Sequence, residues 1–269
     1  MDPCVNNLLR FLTFLFKKES LGYNSLCSAR SAISSLISRD KEIGKDWHIC
    51  RFLRGVFNLR PNLPRRVIWD TGKVLKFLAT WHPAKNLSLR QLSIKTVLLC
   101  LLVSGQRGQT IWAMETDNLI FDKDHAKCTI TVPLKTSSPH NHISELVFKR
   151  YTPNTALCAR HYLAQYSLRT KTLRGGGSKG FFITSRAPYK PICRGTLSSW
   201  TKEGMRLAGV DTNIFTPHST RAASTSKVKN SGTVRLGTIL KCAGWKNART
   251  FARFYDKVIE EDGWNAASL

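Results

Sequence analysis

One stretch constrains the fold more than any other: LRQLSIKTVLLCLLVSG, residues 89–105. It is apolar for most of its length, and a helix that is apolar all round is buried. Its greasiest part, Leu92 to Val103, is interrupted by Lys95. It is too short to cross a bilayer, which takes about 20 apolar residues. The rest of the chain must therefore supply layers that cover this helix. Pro83 and Asn86 in WHPAKNL mark a turn just ahead of it, and Ser88 is placed to cap it. It ends in SGQRGQT, where Gly105 and Gly108 flank Arg107 on a tight bend. An arginine there is either a solvated loop residue or one held against a bound anion, with glycines letting the backbone approach.

Upstream, helical spacing predicts helices over 5–18, 26–37 and Trp47 to Phe57. The first turns Leu8, Leu12, Leu15 and Phe16 to one side. The second has Ser25 as its cap and Ala29, Ile33, Leu36 and Ile37 inward. Two prolines in RPNLPRR break the third, and Asp70 caps a short helix through Ala79. Downstream, a meander is expected over Leu119 to Phe121, Cys128 to Leu134 and Ile143 to Phe148. Lys135 falls at a hairpin tip, where a lysine is usually only solubilising. Helices follow over 155–169, 195–207, from Pro217, over Val234 to Cys242, and over Ala248 to Ile259, with a short FFITS strand among them. The expected fold is mostly α with a small antiparallel sheet (α+β) in two domains. These are a helical module at 1–82 and a larger domain at 83–262, with a tail at 263–269.

Charge narrows the partner. Lys and Arg number 42 against 17 acids, a net +25. Self-repulsion of that size is costly to a compact fold unless a polyanion shares it. Nucleic acid is the first candidate and an anionic membrane the second. The start, MDPCVNNLLR, lacks a basic leader and a cleavage site, so an intracellular protein is expected. None of the eight cysteines forms a C-x-x-C pair, and the histidines show no zinc spacing. Reduced thiols, no metal and no cofactor are the expectation. The glycines of TKTLRGGGSKG lack the G-x-x-x-x-G-K-[ST] order of a nucleotide loop.

The last quarter carries the chemistry. In HSTR, His218 and Arg221 stand at i and i+3, so both can face one ligand at a helix N-terminus. Trp245 follows in AGW, and Tyr255 sits in FARFYDK among Arg249, Arg253 and Lys257. A phenol that only packs needs no such ring of cations; one that attacks a phosphate does. Each residue also has an ordinary reading: a capped surface histidine, or a core tyrosine sharing a helix face with Phe251, Phe254 and Val258.

Taken in order, these residues resemble the tyrosine recombinases of the phage-integrase family, those of eukaryotic DIRS- and Crypton-type mobile elements above all. The resemblance spans essentially the whole chain. SGQRGQT resembles the family's first arginine motif, giving Arg107, and LKTSS its β-hairpin lysine, giving Lys135. HSTR is similar to its H-x-x-R box, giving His218 and Arg221, and AGW and FARFYDK match Trp245 and the nucleophile Tyr255. RGVFNLRPNLPRR also resembles element-encoded proteins. The gap from Trp245 to Tyr255 is a residue longer than in bacterial members.

The resemblance implies a SAM-like core-binding domain at 1–82, shortened at its start, and a recombinase catalytic domain at 83–262. It implies a site-specific DNA recombinase or integrase acting through a 3′-phosphotyrosyl intermediate without metal or ATP. Double-stranded DNA would be the partner, with a homotetramer on two duplexes, no membrane, and the nucleus as the place of action. A catalytically silent DNA-binding protein derived from a mobile element, and a type IB topoisomerase-like activity, are the alternatives.

Overall fold

The computed structural model describes residues 3–37, 43–61, 67–135, 137–138, 145–175, 179–245 and 248–259. The second proline of RPNLPRR, most of the TSSPH turn and the tail at 263–269 lie outside them. The chain forms two compact units, Met1–Arg65 and Arg66–Leu269.

The first unit is three helices, α1 (Pro3–Lys17), α2 (Tyr23–Ile37) and α3 (Trp47–Leu59). Leu8 and Leu12 of α1, Leu26 of α2, and Ile49, Leu53 and Val56 of α3 make its core. The α1 face matches the apolar spacing. α2 starts ahead of Ser25, so that residue is inside the helix and not its cap. Leu26, Ala29 and Ile33 turn inward, one turn apart. Leu36 and Ile37, inward by spacing, are 83% and 51% exposed, because the last turn of α2 carries them past that stripe.

The second unit opens with β1 (Val67–Ile68) and α4 (Thr71–Thr80). Asp70 caps α4 by accepting the Gly72 amide at 3.1 Å. The sequence places α4 in the N-terminal module. The division falls at residue 65 instead, because Val74 and Leu78 share a core with the helix that follows. That helix, α5 (Leu89–Ser104), carries a reciprocal capping box between Ser88 and Gln91. Every residue from Leu92 to Leu102 is buried. The one charge in that run is accounted for: Lys95 Nζ donates to the Leu78 and Trp81 carbonyls at 2.7 and 2.6 Å, at the end of α4. It also lies 3.9 Å from the Tyr162 ring centroid. Burial pushes this ammonium down to about 7. No helix among the described residues is long and apolar enough to cross a membrane.

After α5 come α6 (Gly108–Trp112), the antiparallel strands β2 (Leu119–Phe121), β3 (His125–Thr129) and β4 (Glu145–Lys149), α7 (Ala159–Thr170) and α8 (Arg194–Leu207). The meander is as expected, but β3 starts earlier and ends at Thr129, which pairs with Glu145. FFITS forms no strand; Ile183 makes an isolated bridge to Pro191. α7 and α8 both pack on α5. α8 comes close through Gly204, where a Cβ would stand 2.8 Å from Ile94 Cγ2 and closer still to Leu98. Gly204→Ala should therefore destabilise the protein. Overpacking costs about 1–3 kcal/mol, more than the roughly 1 kcal/mol an interior helical alanine gains over glycine. Chemical denaturation would measure the loss.

The chain ends with α9 (Ser219–Asn230), α10 (Leu236–Ala243), α11 (Ala248–Phe254) and β5 (Val258–Ile259). β5 pairs in parallel with β1, joining the last described strand of the unit to its first. The helix expected over Ala248 to Ile259 is thus shorter, stopping one residue before Tyr255. Phe251 is buried beside Trp245, whereas Val258 is an exposed strand residue. All eight cysteines are unbridged.

Candidate active site

The geometry of the site starts where α5 stops. Gly105 ends the helix in the left-handed conformation, φ 60°. A side chain there would be strained, and its Cβ would meet Thr225 Cγ2 at 2.8 Å. The backbone then turns extended at Arg107, which begins α6. This elbow is tied down. Gln106, buried, donates through Nε2 to the Cys242 carbonyl at 2.6 Å. Arg221 Nη1 donates to the carbonyls of Gly105 and Ala243 at 2.8 and 2.7 Å. One guanidinium therefore fastens the end of α5 to the end of α10.

Arg221 itself is 1% exposed. Its Cζ lies 3.8 Å from the Trp245 ring centroid and 5.4 Å from that of Tyr255. Its Nε and Nη2, and the indole Nε1 of Trp245, are buried with no hydrogen-bond partner among the described residues. Three buried N–H groups aimed at nothing are rare and costly, about 1–3 kcal/mol each. Burial first, and the Arg107 charge second, push the Arg221 guanidinium below its usual range, while the Tyr255 phenol pulls it back. A guanidinium nonetheless stays charged at neutral pH. Among the described residues it forms no ion pair.

Tyr255 follows α11 directly. Its amide bonds to the Phe251 carbonyl at 2.8 Å, and its own carbonyl accepts the Ser226 hydroxyl at 2.6 Å. Its ring packs on Trp245 at 4.8 Å, and its hydroxyl meets His218 Nε2 at 3.4 Å. His218 stands at the N-cap position of α9, and its side chain makes no capping hydrogen bond there. The residue is exposed to the cleft, with Tyr255 against its ring. Burial, then Arg107, Arg221 and Lys135, hold its imidazole below the ordinary histidine range. A cavity of about 350 Å³ lies over this pair and is also lined by Arg107, Lys135 and Arg194. Lys135 reaches it from the segment between β3 and β4, its amide donating to Gln109 Oε1 at 3.3 Å. Among the described residues no three His, Cys, Asp or Glu side chains gather where they could hold a metal ion.

All six residues singled out in the sequence thus converge. Arg107, Lys135, His218 and Tyr255 line one cavity; Arg221 and Trp245 lie beneath Tyr255. Around Tyr255 lie Trp245, His218 and Arg221, and of the cations expected there the side chain of Arg253 lies outside the described set. Arg194, Gln106 and Ser226 were missed. Ser226 sits mid-helix and Gln106 reads only as part of a bend, so neither carries a signal. Arg194 opens α8, its guanidinium 4.7 Å from the Trp112 ring centroid. The Trp112 indole is in turn held by the Ile192 carbonyl at 2.7 Å. Arg194 thus adds a third guanidinium to the rim of the cavity.

No family profile and no curated protein matches the chain. Solved structures do. A lambda integrase dimer bound to a COC′ core site aligns over 98% of this chain and 84% of its own, at 14% identity and TM-score 0.60. The chain shares the fold of that integrase. XerH site-specific recombinase, in a pre-cleavage complex with its difH substrate, aligns over 93% of this chain and 66% of its own, at 12% identity and TM-score 0.63. The Tn1549 transposon integrase with circular intermediate DNA aligns over 98% and 82%, at 13% identity and TM-score 0.55.

Proposed function

We propose that the chain is a site-specific DNA recombinase or integrase that cuts and rejoins strands through Tyr255. One observation carries the reading: the Tyr255 hydroxyl meets His218 above a buried Arg221 whose Nε and Nη2 have no partner. The cavity over them adds Arg107 and Lys135. In this reading the scissile phosphate sits against the two guanidiniums, which neutralise the charge gathering on its non-bridging oxygens. Tyr255 Oη attacks phosphorus and passes its proton to His218. The bond from phosphorus to the 5′-oxygen breaks, and Lys135 supplies a proton to that oxygen. The product is a 3′-phosphotyrosyl ester and a free 5′-hydroxyl. Attack by another strand's 5′-hydroxyl reverses the steps. One phosphoester replaces another at each stage, so no ATP is required.

Double-stranded DNA is the proposed partner, supported by the +25 charge and by the DNA complexes of the structural neighbours. Work as a homotetramer on two duplexes is proposed too; a lambda integrase of this fold is a tetramer on a Holliday junction. A eukaryotic mobile-element origin and a nuclear place of action rest on the sequence resemblance alone.

The deciding test is a nicked suicide duplex carrying the chain's own site. A covalent protein–DNA adduct on a denaturing gel supports the reading. Tight binding without adduct points instead to a silent DNA-binding protein, and site-independent plasmid relaxation to a topoisomerase. The pH profile adds a check on His218. Its imidazole is held below the usual value of about 6.5, so the neutral, proton-accepting form persists to lower pH. Adduct formation limited by His218 should hold on acidification through 6.5 and fall only below it. Single-turnover rates across pH would show this; a fall centred at or above 6.5 would remove His218 from the role of proton acceptor.

A further inference from the structure

We propose that a second cavity, at the end of the three-stranded sheet away from Lys135, is a binding site for a phosphate group. Strand register fixes its place. The β2–β3 turn and the residue after β4 lie at one end of the sheet, since His125 pairs with Lys149. The chain towards Lys135 leaves from Thr129 at the other end. Five strand residues at about 3.3 Å each separate the two. The cavity holds about 300 Å³, within the range of small-ligand sites.

Its lining is cationic. Lys123 comes from the β2–β3 turn, Arg150 follows β4, and Arg160 lies on the first turn of α7. Among the described residues none of the three makes an ion pair, and no carboxylate lines the cavity. Three like charges around one hollow repel one another unless an anion sits between them. Arg160 is already fixed, with Nε and Nη2 both donating to the Asp122 carbonyl. Holding the planar group in place lowers the entropy lost when its remaining N–H groups bind an oxyanion. Arg150 is placed by its amide, which donates to the Asp124 carbonyl at 2.6 Å. Tyr151 and Thr155 add hydroxyls to the lining. His161 is held towards its neutral form by burial and then by the cations about it, so it supplies a donor without a further charge. Guanidiniums with hydroxyl and imidazole donors suit phosphate oxygens. The phosphate belongs either to a nucleic-acid strand or to a free phosphate compound.

The test titrates the full chain with inorganic phosphate by calorimetry in an Arg107→Ala background, which weakens phosphate binding at the catalytic cavity. Adding Lys123→Ala with Arg150→Ala should weaken phosphate binding at least about tenfold, as two charge-assisted hydrogen bonds are removed. Arg150→Glu, a single change at an exposed residue, should do the same and guards against a misfolded double variant. DNA binding of Lys123→Ala with Arg150→Ala, Arg107 intact, is measured in parallel over a range of salt. A slope lower by about 0.9 for each phosphate no longer neutralised identifies a strand as the source. An unchanged slope with weakened phosphate binding identifies a free phosphate compound. The proposal is overturned if neither changes, or if Arg186→Ala with Lys190→Ala, elsewhere on the surface, gives the same losses. Strand transfer is not measured, so the outcome is independent of the recombinase reading.

Discussion

Tyr255→Phe is expected to abolish the covalent adduct while leaving the fold and DNA affinity intact. The phenol is the proposed nucleophile, and of the hydroxyls lining the cavity it is the one that meets His218 over Arg221. Loss of a nucleophile of this kind costs on the order of 10⁴-fold or more in rate. The phenylalanine ring keeps its packing against Trp245. The 3.4 Å approach of the hydroxyl to His218, long for a hydrogen bond, and its pull on Arg221 disappear, so stability should change by about 1 kcal/mol or less. Quench experiments on a suicide duplex and a thermal melt, run on the same preparation, separate the two effects. An adduct that survives the substitution would mean that another residue carries the DNA.

Arg221→Ala should damage both properties. Its Nη1 satisfies two carbonyls, and its guanidinium stacks on Trp245. Removing it leaves the carbonyls of Gly105 and Ala243 without that donor, at roughly 1–3 kcal/mol each. The melting temperature of the catalytic unit should fall by roughly 2–4 °C per kcal/mol. Adduct formation should fall about 10²–10³-fold as well, the usual loss for a donor that stabilises transition-state charge. Arg221→Lys gives the discriminating result. A lysine keeps the charge but cannot span two carbonyls and an anion at once. If that variant regained full activity, bidentate binding by Arg221 would not be part of the reaction.

How much of this was legible depended on how local each signal was. His218 and Arg221 are one helical turn apart, so their spacing alone placed them together. Gly105 and Gly108 marked the bend at Arg107, and the αL cap at Gly105 is the physical reason. The all-round apolarity of α5 made its burial readable, and with it the mostly helical architecture. Other positions were set by tertiary contacts. Apolar spacing extends α11 through Tyr255, but the chain leaves the helix there to reach the β1 edge. Alternation in CTITVPL favours a strand to Leu134, whereas the pairing begins with His125 and runs to Thr129. Pro83 and Asn86 read as a domain boundary, yet α4 lies on the far side of the actual division because its apolar face completes the α5 core. Ser226 and Gln106 do their work by bonding to carbonyls far along the chain, which no pattern of neighbours announces.

The short pairing of β5 with β1 has a mechanical consequence. Tyr255 hangs between two unequal moorings. On one side Phe251 is sunk in the small core with Trp245. On the other, three residues on, the chain is clipped to β1 over two residues, with the Ser226 hydroxyl as a spacer. So short a ladder opens far more readily than the helical core around α5. Tyr255, the proposed nucleophile, is thus moored upstream in a small aromatic core and downstream by a two-residue ladder, helped by the Lys229–Asp256 ion pair and by Ile259 packing on the main core.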